Sequence, residues 1–183
     1  MGKSISSSSS VSLILFLPYF FLLSVDFFGA NLRANAVTAL IERACNFSGV
    51  PDFCYNVLGN DPRAQMATTK FELDDILIPL AYTNYTNIVR KISAVASIET
   101  NPEYKIIYRK CLHQYNILKS DFRFLFELSR VKGNLDLDVQ NASLHLFVCT
   151  EFFTQFPNIP NPFAQDNDNL TFFLELIRDI SLL

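Results

Sequence analysis

The 183-residue chain contains no tryptophan, only five glycines and only two histidines. Neither GxGxxG nor GxxxxGK occurs in it, so the glycine-rich loops that hold nucleotide phosphates are missing. The 15 lysines and arginines form no basic run, and 18 aspartates and glutamates outnumber them. Because nucleic-acid binding needs clustered basic side chains, the composition argues against a nucleic-acid partner.

Patterns of catalytic and metal-binding residues are also missing. The sequence has no GxSxG nucleophile elbow, and solvated or hydrogen-bonded roles suit His113 and His145 better than catalysis. Asp74 and Asp75 are adjacent and would face different sides of a helix, which makes them poor acid–base partners. The sequence therefore predicts a protein that is not an enzyme and that uses no cofactor and no metal.

Apolar residues are what the chain has in quantity. They make up 50% of it and include 18 phenylalanines, whereas charged residues make up only 18%. This balance is too apolar for a disordered chain, and the length suffices for one domain with a sizeable core.

Residues 1–30 have the pattern of a secretory signal peptide. Lys3 is followed by a serine spacer and by an apolar run of 13 residues from Val11 to Leu23. A membrane anchor is the alternative, but the run falls short of the roughly 20 residues that span a bilayer and contains Pro18. We expect cleavage between residues 30 and 36, a mature domain over residues 37–183, and no membrane association afterwards.

Two further features predict an extracellular protein. Cys45, Cys54, Cys111 and Cys149 all follow the leader, and an even number of cysteines in an exported chain indicates disulfides. Zinc is disfavoured because the cysteines form no CxxC cluster. Asn-X-Ser/Thr sequons, which are candidate glycosylation sites, occur at Asn46, Asn84, Asn141 and Asn169.

The first half of the mature chain predicts a helical hairpin and one long helix, because apolar residues recur every three or four positions. A short helix over residues 37–45 precedes a tight turn over residues 46–53, and a return helix starts at Cys54. The next helical face continues from Met66 through Val95. Pro79 predicts a kink or a break in that helix.

The second half predicts three more helices. Asn101 and Pro102 open the first as N-cap and N1 residues, and a polar connection over residues 129–138 follows it. A proline-containing loop precedes the last helix, which we expect Asp168 or Asn169 to cap. The predicted inward faces comprise Ile107, Cys111, Tyr115, Leu118, Phe122 and Leu125; Val139, Ala142, Leu146, Cys149 and Phe153; and Leu170, Phe173, Leu174, Ile177 and Ile180.

This pattern predicts an all-α fold, an up-and-down four-helix bundle with an N-terminal helical hairpin and two disulfides. Four cysteines allow three pairings. Cys45 and Cys54 flank one tight turn, whereas Cys111 and Cys149 lie on the inward faces of consecutive long helices. We expect these two pairs, since the other pairings would tie the hairpin to distant helices.

With this cysteine spacing in a helical, exported chain, the sequence resembles the plant invertase and pectin methylesterase inhibitor family. The resemblance covers residues 37–183 and rests on the cysteine spacing, with 8, 56 and 37 residues between successive cysteines. The segment from Leu58 to Arg63 is similar to a pollen branch named for invertase inhibition. Supporting motifs are Pro51-x-x-Cys54, Cys111-x-x-x-Tyr115 and Ala142-Ser143 before Cys149-Thr150-Glu151-Phe152.

The resemblance implies a four-helix bundle whose first and second, and third and fourth, cysteines are joined. It also implies a secreted inhibitor of the cell wall space that blocks the active-site cleft of a carbohydrate-active enzyme in a 1:1 complex. The Pro-Lys-Phe motif of invertase inhibitors is absent, and residues 131–134 are Val-Lys-Gly-Asn instead. This favours pectin methylesterase as the target, although the Ser-Ala-Ala-Leu-Thr pattern of its inhibitors is absent too. Acid invertase is the alternative.

Three residues are candidates for target contact. Phe124 lies off the buried face of its helix and would suit an interface anchor, and Lys132 and Asn134 lie in the predicted turn. A different class of function, binding of a lipid or another apolar ligand, is suggested by the many phenylalanines. At helical spacing a core position is favoured for them; the phenylalanines concerned are Phe122, Phe124, Phe126, Phe147, Phe152, Phe153 and Phe156.

Overall fold

The computed structural model describes residues 38–183. The predicted signal peptide and its cleavage region lie outside the described residues. Within residues 38–183 the chain forms seven α-helices and no strand. No helix in this part of the chain is both long and apolar enough to cross a membrane. The helices are α1 (Ala39–Phe47), α2 (Pro51–Leu58), α3 (Pro62–Met66), α4 (Lys70–Ile98), α5 (Pro102–Arg130), α6 (Asp136–Gln155) and α7 (Ala164–Ser181).

Helices α1 and α2 form the predicted hairpin, with a shorter turn than expected. Thr38 caps α1 by accepting a hydrogen bond from the Ile41 amide at 3.3 Å. Helix α2 begins at Pro51, three residues before the predicted start at Cys54. The fixed φ of proline suits the first turn of a helix, and its missing N–H is not needed there. Proline therefore starts the helix here rather than belonging to the turn.

Helix α4 continues through Pro79 for 29 residues, so the expected break is wrong. Pro79 is exposed, and the residues before and after it in the core, Ile78 and Ala81, are fully buried. Burial of this inner face holds the helix together across the lost backbone hydrogen bond, which lies on the solvent side. Met66 is also misplaced by the sequence pattern, because it ends the separate helix α3 and is 74% exposed.

The start of α5 is as predicted, but that of α7 is not. Asn101 caps α5 by accepting a hydrogen bond from the Glu103 amide at 2.9 Å. Helix α7 begins at Ala164, ahead of Asp168 and Asn169, without a side-chain cap. The fully buried Phe163 precedes it and packs edge-on against Tyr108 and Phe153. Aromatic packing, rather than a polar cap, fixes where this helix starts.

The four long helices form a closed ring in which each contacts two others. Along each contact the residue numbers rise on one helix as they fall on the next, so neighbours are antiparallel. The all-α bundle fold is thereby confirmed. The defining contacts are Asp75 to Ser129 and Tyr85 to Tyr115 for α4–α5, Gln114 to His145 for α5–α6, Thr150 to Asn167 and Asp136 to Arg178 for α6–α7, and Lys70 to Ser181 and Lys91 to Asp166 for α4–α7.

The core contains the predicted inward faces. All sixteen residues named for α5, α6 and α7 are buried except Phe173, which is half-buried. The cysteines pair as Cys45–Cys54 and Cys111–Cys149, with Cα–Cα distances of 5.3 and 4.6 Å. One disulfide therefore closes the hairpin and the other joins α5 to α6.

We expect the two disulfides to contribute unequally to stability. The chain-entropy model assigns about 3.9 kcal/mol to the Cys111–Cys149 loop and about 2.7 kcal/mol to the Cys45–Cys54 loop, because the longer loop restricts the unfolded chain more. Urea denaturation of the double alanine variants at each pair measures the two losses. A greater loss from the hairpin pair would contradict this ranking.

Asp74 is the most enclosed carboxyl group among the described residues. It is 2% exposed, and its Oδ1 atom has no hydrogen-bond partner among the described residues. Burial raises the pKa of this carboxyl from 3.8 to about 7, and the Lys70 cation offsets only part of the effect. The folded protein therefore holds Asp74 protonated at mildly acidic pH.

This carboxyl should make the protein less stable as the pH rises. Below about pH 4 it is protonated in both the folded and the unfolded chain, whereas above about pH 7 it is ionised in both and the buried charge opposes folding. Asp74→Asn should therefore raise the free energy of unfolding by up to about 4 kcal/mol at pH 8 and hardly change it at pH 4. Urea denaturation at both pH values tests this, with the exposed Asp52→Asn variant as control. An equal effect at both pH values would rule out the ionisation mechanism.

Candidate functional site

The first feature considered is the placement of side chains that could bind a metal ion. Residues 38–183 hold no group of three or more His, Cys, Asp or Glu side chains placed to bind a metal. His145 lies 3.0 Å from Gln114 through Nδ1, and its Nε2 is 3.7 Å from Asp121. Burial raises the pKa of the Asp121 carboxyl.

A groove of about 690 Å³ lies between α4 and α5. We call it the basic groove. Seven of its eight lining residues come from α5, at the three- and four-residue intervals that place them on one helical face. The lining consists of Tyr82 from α4 and Asn116, Lys119, Ser120, Arg123, Phe126, Glu127 and Arg130 from α5.

Two aromatic side chains give the basic groove an apolar part. The Tyr82 and Phe126 rings pack edge-on, 5.6 Å apart, and Tyr82 also contacts the fully buried Phe122 at 5.5 Å. The buried Tyr85 ring stacks on the Tyr82 ring, with 5.5 Å between the ring centroids. The aromatic side chains of the groove are thus supported by the core and are held in place before any ligand arrives.

The charges of the basic groove are predominantly positive. Lys119, Arg123 and Arg130 face a single acid, Glu127. Within residues 38–183, no carboxylate lies within 4.0 Å of any of these cations. The Arg123 guanidinium instead lies 5.4 Å from the ring centroid of Phe124. The groove therefore presents a net positive charge whose partners are not supplied by the described residues.

A second, smaller groove of about 550 Å³ lies on the other side of α5, against α6. It is lined by Arg109, Lys110 and His113, with the Lys110 Nζ atom 5.6 Å above the Phe152 ring. Six of the 13 lysines and arginines in residues 38–183 lie on α5, and none lies on α6. Helix α5 thus carries more basic side chains than any other helix in residues 38–183. A search for consecutive basic residues misses this concentration, because most of these side chains are spaced along the helix.

The three predicted contact residues do not form one site. Phe124 is 44% exposed and borders the basic groove through Arg123. Lys132 has φ of 54° in the α5–α6 turn, and its Nζ lies 5.7 Å above the ring of Phe71 near the start of α4. Asn134 accepts a hydrogen bond from the Asp136 amide at 2.9 Å, which shapes the start of α6. Neither turn residue lines the groove.

The four sequons differ in how accessible they are. Asn46 and Asn141 are exposed, whereas Asn84 and Asn169 are half-buried. The Asn46 Oδ1 atom accepts a hydrogen bond from the Tyr55 hydroxyl at 3.0 Å. Asn84 Oδ1 is shielded from solvent and has no hydrogen-bond partner among the described residues. Judged by accessibility alone, Asn46 and Asn141 are better placed for glycan attachment than Asn84 and Asn169.

The phenylalanines favoured as core residues prove to be mixed. Phe122 and Phe153 are buried and Phe126 and Phe152 are half-buried, but Phe124, Phe147 and Phe156 are 44 to 59% exposed. The core assignment is wrong for Phe147 and Phe156, whereas the exposure of Phe124 agrees with its predicted position off the buried face of its helix. The two grooves described above are lined by cations as well as rings, which suits a charged ligand better than a lipid tail.

Comparison with known proteins identifies the fold. No family model matches the chain, and no curated protein sequence matches it. The structure is similar to that of mutant form A of a pectin methylesterase inhibitor from Arabidopsis, with a TM-score of 0.69 and 15% identity over 80% of this chain and 97% of that one. It is also similar to a pectin methylesterase inhibitor from Arabidopsis thaliana, with a TM-score of 0.60 and 14% identity over 80% and 96% of the two chains. The chain has the helical fold of these inhibitors.

Phe124 should be dispensable for folding, unlike its neighbour Phe122. Phe122→Ala removes a buried ring that contacts Tyr82 and Tyr85, so we expect a loss of about 3 to 5 kcal/mol. Phe124→Ala removes an exposed ring and should change the free energy of unfolding by less than about 0.5 kcal/mol. Chemical denaturation of the two variants checks this. A loss above 2 kcal/mol for Phe124→Ala would show that the ring is part of the core.

Proposed function

We propose that this protein is a secreted inhibitor of pectin methylesterase. The observation that carries the proposal is the likeness to pectin methylesterase inhibitors, which spans 97% of the length of one such structure. The cysteine spacing and the short motifs of the mature chain support the same family, with similarity to its pollen branch in residues 58–63. The protein acts as a binding partner, not as a catalyst.

The α5–α6 turn favours pectin methylesterase over acid invertase. Its sequence from residue 131 is Val-Lys-Gly-Asn, so the Pro-Lys-Phe motif of invertase inhibitors is missing. Only Lys132 matches that motif, because Val131 and Gly133 stand where it has proline and phenylalanine. Acid invertase is the alternative target.

Inhibition results from a rigid surface that covers the active-site cleft of the target in a 1:1 complex. A bundle with two disulfides loses little conformational entropy on docking, which favours tight binding. Phe124 is an exposed ring on a stable helix and is the proposed anchor in the interface. Lys132 and Asn134 add polar contacts from the turn.

Secretion into the cell wall space completes the proposal. Disulfides are typical of oxidising compartments, and residues 1–30 supply the export signal. Glycans on Asn46 and Asn141 would exclude the target from the surface around each of them. The interface therefore avoids the exposed sequons wherever they are occupied.

A paired titration tests the target. The oxidised, secreted protein is added to a plant pectin methylesterase and to a cell wall invertase at about pH 5, within the usual range of protein stability. We expect methylesterase activity to fall to zero with an equimolar end point and invertase activity to be unchanged. Inhibition of invertase alone would overturn the choice of target, and activity of both enzymes at excess inhibitor would overturn the proposal.

Matched variants test the contact residues in the same assay. Phe124→Ala should weaken inhibition by at least tenfold, since truncating a central aromatic anchor usually costs about 2 kcal/mol or more. Phe147→Ala removes a more exposed ring from α6 and serves as control. If the two variants inhibit equally well, Phe124 is not the anchor, whatever the target.

A further inference from the structure

The cations of the basic groove form no ion pair with the described residues and are spread along a considerable length of helix. Lys119 and Arg130 are eleven positions apart in the sequence, which corresponds to about 16 Å along α5. A single small anion cannot reach both ends of this stretch, whereas a chain molecule can. Glu127 is the one acid in the lining and leaves the groove positive.

Lys119 and Arg123 repel one another in the absence of a ligand. They are four residues apart on one face of α5, a spacing at which like charges destabilise a helix by a few tenths of a kcal/mol. Their side chains are exposed, and no hydrogen bond to either side chain occurs within residues 38–183. An anion bound between them would relieve this repulsion.

The other lining groups determine what kind of anion fits. Asn116, Ser120 and the Tyr82 hydroxyl can exchange hydrogen bonds with hydroxyl groups, and the Tyr82 and Phe126 rings offer apolar surface. Sugar rings have this combination, since they carry hydroxyl groups around their edges and C–H groups on their faces. Carboxylates on such rings would meet the cations, with Arg123 able to bind one through two parallel hydrogen bonds.

We propose that the basic groove binds an acidic oligosaccharide, a chain of uronic acid residues with free carboxylates. An acidic patch on a protein is the competing ligand, but a concave groove that mixes rings, hydroxyls and cations suits a sugar chain better than a flat protein surface. This goes beyond inhibition and does not depend on it, because the groove binds the saccharide whether or not a target enzyme is present.

Calorimetric titration with a galacturonic acid hexasaccharide tests the proposal, with its fully methyl-esterified form and a glutamate peptide of equal charge as comparisons. We expect binding of the acidic sugar that weakens as salt increases and is at least tenfold tighter than binding of either comparison ligand. Equal binding of the esterified sugar would overturn the role of the cations. Equal or tighter binding of the peptide would show an acidic protein to be the ligand, and absence of binding would overturn the proposal altogether.

Substitutions locate the site. Lys119→Gln and Arg123→Gln should each weaken binding about fivefold, as expected for exposed charge pairs, and the double variant about 25-fold if the two act independently. Arg90→Gln removes an exposed cation of α4 that does not line the groove and should leave the affinity unchanged. Equal effects of all three single variants would mean that net charge, not the groove, attracts the saccharide. Because no enzyme is present, the outcome is separate from that of the inhibition assay.

Discussion

One buried hydrogen-bond network at Tyr115 joins all four long helices, and the rest of the bundle is arranged around it. The Tyr115 carbonyl in α5 accepts a hydrogen bond from the Tyr85 hydroxyl of α4 at 3.0 Å, and the Tyr115 hydroxyl donates to Asn167 of α7 at 2.6 Å. Asn167 donates in turn to Thr150 of α6 at 3.4 Å. Burial raises the pKa of the Tyr115 hydroxyl, so it stays a donor at any physiological pH. Since a buried polar group without a partner is costly, a shift of any one helix would be penalised by the others.

The fixed inner face of α5 leaves its outer face available for binding. Its buried residues follow the helical period, and the Cys111–Cys149 disulfide attaches the same helix to α6. The positions between them carry the lysines and arginines of both grooves. The core contacts fix the backbone positions of these cations, which would reduce the entropy lost on binding in the proposed groove.

The sequence predicts the interior of this fold better than its boundaries or its surface. Inward faces are predictable because burial imposes the 3.6-residue period directly on residue type. The start of α7 is not, since it is determined by packing of Phe163 against residues from two other helices. The continuity of α4 through Pro79 likewise depends on a buried face supplied by the whole bundle. Capping residues and prolines predict where an isolated helix would begin or end. In the folded protein, tertiary contacts decide these positions instead.

The candidate site shows the same limit more strongly. Lys119, Arg123 and Arg130 are separated in sequence by residues that are not basic, and they line a groove only when Tyr82 of α4 is placed beside them. Phe124 was identifiable from its position off the buried stripe, but its contact with Arg123 was not. Pairing across helices depends on how the bundle is assembled, which the period of a single helix does not encode.

A fold shared at 15% identity is maintained by buried positions, whereas the choice of ligand resides in exposed ones. The proposed protein interface and the proposed saccharide site both use α5. Arg123 lines the basic groove and its guanidinium also contacts the ring of Phe124. An acidic saccharide bound in the groove would therefore lie beside the proposed anchor of the protein interface. If both occur, the two ligands are coupled, and each must change the affinity of the other by the same factor. An acidic saccharide would then alter the affinity for the protein partner, and α5 is where that coupling would be located.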